Sequence, residues 1–276
     1  LDNITTSLLT ETDINTGIRL AADNELNYHL LAAAKVTLET GLPLHLTLPI
    51  NITDCRIGSE LAVAIIDRYG ERGLPAGLVS ITFHGNAGQG FGAGNTAGME
   101  LTLVGKAGDY AGQGMSGGQL VVRPSLKSQM EKSNGLIVGK FVAEGSTGGK
   151  LFLAGPAGDY FGAGNAGAAA VVEGLGNNGC RSMMDGVVVI IGRVGHHLAA
   201  NMQGGLVFVL DEPATLCPDV DTQALARVRI TRKDEAELLK HLLSRHVRLT
   251  GSIRGQDILE KWPSRLKQFW KIFPQR

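Results

Sequence analysis

Ala107-Gly-Asp-Tyr-Ala-Gly-Gln-Gly114 recurs as Ala157-Gly-Asp-Tyr-Phe-Gly-Ala-Gly164, and a variant stands at Ala87-Gly-Gln-Gly-Phe-Gly-Ala-Gly94. One glycine of each unit falls at Gly88, Gly108, Gly139, Gly158, Gly176 and Gly195, so the steps are 20, 31, 19, 18 and 19 residues. The long step holds an insertion around Pro124 to Asn134. A second set keeps the same beat at Gly98, Gly118, Gly149, Gly167, Gly186 and Gly205, each followed by a short apolar run such as Met99 to Val104, Val187 to Ile191 or Leu206 to Leu210.

A period near 19 with β-branched runs between glycine corners is what stacked units require, because one unit alone cannot bury its apolar face. Glycine suits the corners because the chain turns there with positive φ or packs backbone on backbone. The expectation is an all-β-dominated chain, a β-helix (β-solenoid) with capping helices at both ends. Leu103, Val121, Leu153, Val189 and Val207 are its representative inward residues, each worth about 1.5–3 kcal/mol when fully buried. A leucine-rich repeat is disfavoured, since Leu-x-x-Leu-x-Leu with a recurring Asn is missing.

Of the 38 glycines, 30 lie between Gly85 and Gly205, which sets that region apart from its flanks. The division expected is an N-terminal flank and cap (1–78), the repeats (79–212) and a C-terminal helical cap (213–276). Asn24 to Glu39 and Ser59 to Tyr69 carry apolar residues at helical spacing, and Pro43 to Ile50 alternates like a strand. Thr231 with Asp234 resembles a capping box ahead of a helix to Val247, and a shorter helix from Gln256 to Trp262 stops at Pro263.

Composition removes several function classes. The 26 basic residues balance 26 acidic ones, with no basic stripe to build a nucleic-acid groove. No apolar run spans a bilayer and no secretory pattern opens the chain, so no membrane partner and a cytoplasmic location are expected. Cys55, Cys180 and Cys217 are scattered, without the spacing of a zinc or iron–sulfur site. The first residue, Leu1, suggests a fragment or a processed chain.

Two stretches, Gly112-Gln-Gly-Met-Ser-Gly117 and Gly162-Ala-Gly-Asn-Ala-Gly167, match the dinucleotide fingerprint. That fingerprint needs a helix after it, and here another strand follows, so they read as corners of the repeat. His196 and His197 are adjacent, which on a strand sends them to opposite faces, and no carboxylate sits at ligand spacing. Asp109 and Asp159, beside Tyr110 and Tyr160, suggest side-chain bonding within their turns. No catalytic, cofactor-binding or metal residue is expected in the chain.

Three stretches together carry a family resemblance: Asn51 to Gly77, with Arg56-Ile-Gly-Ser-Glu-Leu, Arg68-Tyr-Gly and Gly73-Leu-Pro; the repeats; and His246 through Thr250-Gly-Ser to Ile258-Leu and Trp262. The chain resembles the C-terminal, Gly-x-Gly-x-Gly domain of the large (alpha) subunit of glutamate synthase. The resemblance implies a non-catalytic, right-handed β-helix that positions a glutaminase domain and an FMN-binding synthase domain, in the same chain or in separate subunits. It also implies FMN and an iron–sulfur cluster elsewhere in the enzyme, and electrons from a donor subunit, pyridine nucleotide or ferredoxin. The reaction implied converts glutamine and 2-oxoglutarate to two L-glutamates. A stand-alone glutamate synthase subunit is one alternative, and a non-catalytic subunit of a formylmethanofuran dehydrogenase-like complex another; the helices at Ser59 to Tyr69 and Lys233 to Val247 favour glutamate synthase.

Overall fold

The computed structural model describes residues 25–125, 135–212 and 224–275. Most of the Pro124–Asn134 insertion, Leu1, Asn24 and Cys217 lie outside the described residues. Two N-terminal helices, α1 (Glu25–Thr40) and α2 (Ser59–Tyr69), flank strand β1 (Leu44–Ile50). Then come β2 (Val79–Gly85), β3 (Met99–Val104), β4 (Ser116–Arg123), β5 (Gly148–Leu153), β6 (Ala166–Leu175), β7 (Asp185–Val194) and β8 (Leu206–Leu210). The C-terminal part adds β9 (Leu225–Arg229), α3 (Lys233–Thr250), α4 (Ile253–Glu260) and β10 (Phe269–Pro274).

All ten strands form one sheet in the order β1-β2-β3-β4-β5-β6-β7-β8-β10-β9. The first eight run parallel, each beside its sequence neighbour, whereas β10 lies antiparallel between β8 and β9.

This overturns the expected all-β solenoid. The molecule is a mixed α/β structure around a single, mostly parallel ten-stranded sheet. Among the described residues the route from strand to strand supplies no comparable second sheet, only isolated bridges linking Ala87, Ala107, Val138, Ala157 and Leu175. The cause lies in the motif itself. In six successive return segments, alternate residues have φ between +54° and +72°: Gly90, Gly92 and Gly94; Tyr110, Gly112 and Gly114; Phe141, Ala143 and Gly145; Tyr160, Gly162 and Gly164; Asn178, Cys180 and Ser182; His197, Ala199 and Asn201. A strand cannot contain left-handed residues at every second position. Glycines read as single corners are thus part of a continuous alternating backbone.

Every second peptide unit of a segment lies across the stack, its sense reversing from one such unit to the next, and this decides where the hydrogen bonds go. Gly112 N–H donates back to Phe91 O (2.9 Å), while Tyr110 and Gly114 N–H donate forward to Lys140 O and Glu144 O (both 2.8 Å). Each of the four inner return segments is therefore bonded to the one before and the one after.

The helices correct the second part of the expectation. α3 and α4 lie on the outer face of the sheet, where Leu239, Leu242, Leu243 and Ile258 pack with Val121, Phe152, Val171, Val189, Ile191 and Phe208. A separate core on the inner face joins Leu103, Leu153 and Val207 to Phe91, Ala111 and Phe161 of the return segments. Val121 and Val189 were expected to point inward and instead meet the helices. Burial on both faces explains the unbroken apolar run Val188–Ile191, whereas Met99–Val104, beyond the helices, alternates buried and half-buried.

At the other end, Asn27 ties α1 to the loop before α2, accepting from Gly58 N–H (2.9 Å) and donating to Arg56 O (3.2 Å). The Thr231–Asp234 capping box does not form: Arg232 is the N-cap of α3, without a side-chain cap bond, and its guanidinium pairs with Asp234.

Candidate functional site

The return segments carry three ordered columns of side chains. Tyr110, Phe141 and Tyr160 occupy equivalent left-handed positions and stack face to face, with centroids 5.3 and 4.9 Å apart and planes within 10°. Asp109 and Asp159 precede them but do not close their own turns. Asp109 Oδ1 accepts from Lys140 N–H and Asp159 Oδ1 from Asn177 N–H, each 2.8 Å away in the next segment, and Asn177 Oδ1 accepts likewise from His196 N–H. Below them Ala111, Val142, Phe161 and Leu198 fill the inner core.

A cleft of about 740 Å³ opens between α4 and the strand ends around Gly155 and Glu173, and adjoins a second of about 600 Å³. Glu173 of β6 anchors the junction. Its Oε1 accepts from the Ser252 hydroxyl and from Nε2 of the fully buried His246 (3.2 Å). A carboxylate only accepts, so the imidazole proton sits on Nε2, and Nδ1 has no hydrogen-bond partner among the described residues. The Ser252 hydroxyl also accepts from Gly255 N–H as the N-cap of α4, so both of its roles are committed. His246, fully buried, therefore ties α3 to β6.

Four charged side chains of the cleft pair with one another. Glu212 takes Arg254 on one oxygen (2.5 Å) and Arg265 on the other (2.9 Å), and Arg265 reaches Asp257 (2.7 Å). The Lys261 ammonium and then the Arg265 guanidinium hold the Asp257 carboxyl below its ordinary range. Sequence reading missed this network. The available signal was His246 on the same apolar stripe of α3 as Leu239, Leu242 and Leu243, which marks a buried histidine in need of a partner.

Gly112–Gly117 runs into β4 and Gly162–Gly167 into β6, so neither offers a helix N-terminus to a phosphate, and the Gly112 and Gly114 N–H groups are already bonded. Of the described cysteines, Cys55 is half-buried and Cys180 buried. Burial pushes the Cys180 thiol up to about 12, against the thiolate that a cluster needs. Among the described residues no three His, Cys, Asp or Glu side chains are grouped to hold a metal ion. His196 and His197 are exposed, with ring centroids 6.2 Å apart. No helix among the described residues is long and apolar enough to cross a membrane.

A family model described as the GXGXG motif matches residues 27–275. A ferredoxin-dependent glutamate synthase of Pyropia yezoensis is 39% identical over 239 residues, 87% of this chain and 15% of the relative. Ferredoxin-dependent glutamate synthase 2 of Arabidopsis thaliana, chloroplastic, is 40% identical over 237 residues, 86% of this chain and 14% of the relative. The glutamate synthase [NADPH] large chain of Bacillus subtilis is 34% identical over 247 residues, 89% of this chain and 16% of the relative. The chain thus corresponds to 14–16% of the length of these relatives. The match takes in the left-handed alternation, the helices on both sides of it and the Glu173 anchorage, and on that extent the chain belongs to the GXGXG motif family.

Proposed function

We propose that this chain is the GXGXG part of a glutamate synthase, the enzyme that makes two L-glutamates from glutamine and 2-oxoglutarate. In this reading it does no chemistry itself. It is a rigid spacer that holds a glutaminase part and an FMN-binding synthase part in register, while ammonia passes between them. FMN and an iron–sulfur cluster belong to the remainder of the enzyme, and electrons come from reduced ferredoxin or pyridine nucleotide, the donors that the relatives' names print. A cytoplasmic location is part of the same proposal.

The supporting observation is the direction in which polar groups are spent. Asp109, Asp159, Asn177, Glu173 and His246 each bond another layer of the same molecule. Polar side chains committed in this way stiffen a body, and these five are not poised as acid, base or nucleophile. Such a body transmits position.

The test is to capture the native protein from its source with antibody against this chain and to sequence what is recovered by peptide mass spectrometry. Glutaminase and FMN-binding peptides are expected, in one polypeptide far heavier than 29.1 kDa or in separate subunits. A chain recovered near that mass without either would overturn the proposal.

A further inference from the structure

Every return segment but the last hands the same three backbone groups to its successor. In the fifth, Asn178 N–H donates to His196 O (2.8 Å), Ser182 N–H donates to Ala200 O (2.8 Å), and Gly179 O accepts from Ala199 N–H (2.7 Å). The equivalent groups of the first four segments, from Gly90, Phe91 and Gly94 to Tyr160, Phe161 and Gly164, are bonded identically. In the sixth, the same positions are His197 N–H, Leu198 O and Asn201 N–H. None of these three meets a partner among the described residues. His197 and Asn201 are exposed, while Leu198 and Ala199 beneath them are buried, so the row is held rigid at the surface.

The opposite end of the stack shows what completes such a row. The loop before α2, which is outside the repeat, acts there as a preceding segment: Asp54 O accepts from Gly88 N–H (3.0 Å), Arg56 N–H donates to Gln89 O (2.7 Å), and Ile57 O accepts from Gly92 N–H (2.9 Å). Arg56 itself has φ 51°. A non-repeat loop with a left-handed residue is thus enough to cap the stack.

We infer that the row His197 N–H, Leu198 O, Asn201 N–H is a docking site for a loop of the polypeptide outside residues 1–276. This rests on the reading of the chain as part of a larger glutamate synthase. The spacing selects the occupant. The two donors are four residues apart with one acceptor between them, whereas a strand edge presents its groups at every second residue, so neither a strand nor a helix matches. The loop must offer two carbonyls flanking one N–H on alternating backbone, which favours Gly, Asn or Asp. Its contacts are polar, in keeping with a surface whose exposed side chains here include Arg193, His196, His197, Asn201 and Gln203.

The experiment places the photo-crosslinker p-benzoylphenylalanine at His197 in the full-length protein, where an aromatic residue is already tolerated at the equivalent Tyr110, Phe141 and Tyr160. Irradiation is expected to link this position to a peptide outside residues 1–276. Links confined to residues 1–276, the segment 213–223 included, or no link at all, would overturn the inference. Amide exchange in the unsubstituted full-length protein is the independent check: His197 and Asn201 are expected to be protected to within about tenfold of Asn178 and Ser182, and exchange at the rate of an open amide counts against docking. Peptides of glutaminase and FMN-binding parts in the same preparation test the underlying reading. A glutamate synthase with a bare His197 therefore defeats the inference alone.

Discussion

Phe141 lies parallel to Tyr160, ring centroids 4.9 Å apart and planes 9° apart, and both residues hold the left-handed backbone that side chains usually avoid. The stack offsets the strain: an aromatic pair contributes about 0.5–1.5 kcal/mol, and a left-handed non-glycine residue costs about 1–2 kcal/mol. Phe141 sits between two such partners, Tyr110 and Tyr160.

Truncation there has an unusual order of effects. Phe141→Ala loses both stacks and keeps the strain, and is expected to destabilise by about 2 kcal/mol in denaturant unfolding. Phe141→Gly loses the same contacts but relaxes φ, recovering about 1 kcal/mol. Glycine more destabilising than alanine at this position would refute the compensation.

Glycines of the region divide into two kinds that composition cannot separate. A Cβ on Gly145 meets nothing within 4 Å, so Gly145→Ala carries only the cost of φ 61°, about 1 kcal/mol. A Cβ on Gly192 would lie 1.8 Å from Glu173 O, so Gly192→Ala must push β7 from β6 at a cost of about 3 kcal/mol or more. Equal thermal shifts for the two variants would contradict the assignment.

The Glu173 anchorage predicts a coupled loss. Glu173→Ala strands the Nε2–H of His246 in a fully buried site, which costs about 2 kcal/mol. Ser252→Ala releases the other partner of the same oxygen and the α4 cap. The double variant should be less destabilised than the sum of the two single ones by about 1 kcal/mol, and strict additivity would mean that Glu173 does not bridge α3 and α4.

Two titrations have signs fixed by their surroundings. Burial favours the neutral thiol of Cys180, so its contribution to stability is complete below its ordinary value of 9.0 and is lost as pH rises from there toward about 12. At pH 8 an alkylating agent should therefore modify half-buried Cys55 and spare Cys180 until the protein unfolds. Asp257 behaves in the opposite sense. Its carboxyl is held down, so its contribution is complete above 3.8 and disappears as pH falls below that value. The unfolding midpoint of Asp257→Asn should trail that of the parent at pH 6, and the gap should narrow as pH falls below 3.8.

Much of this structure was legible in the sequence because local signals and burial agreed. Ser59 to Tyr69 reads as a helix and is one, and Met99–Val104 and Leu206–Leu210 are strands where the glycine beat places them. The architecture was misread because Gly-x-Gly-x-Gly specifies backbone handedness at every second residue, and residues such as Tyr110, Phe141 and Cys180 take the same handedness without announcing it. The placement of α3 was hidden for another reason. An apolar stripe states that a helix is covered, and the matching outer face appears only once Val121, Phe152 and Val189 are brought side by side. The same holds for Glu173 and His246, which are 73 residues apart in the chain.

The central claim is that this chain works as a non-catalytic part of a glutamate synthase. It is tested most directly by assaying native protein, captured with antibody against the chain, for glutamate made from glutamine and 2-oxoglutarate with reduced ferredoxin or pyridine nucleotide. The account predicts that this activity is captured with the chain, two glutamates appearing for each 2-oxoglutarate consumed. Active enzyme left wholly in the unbound fraction, with the chain fully captured, would contradict it.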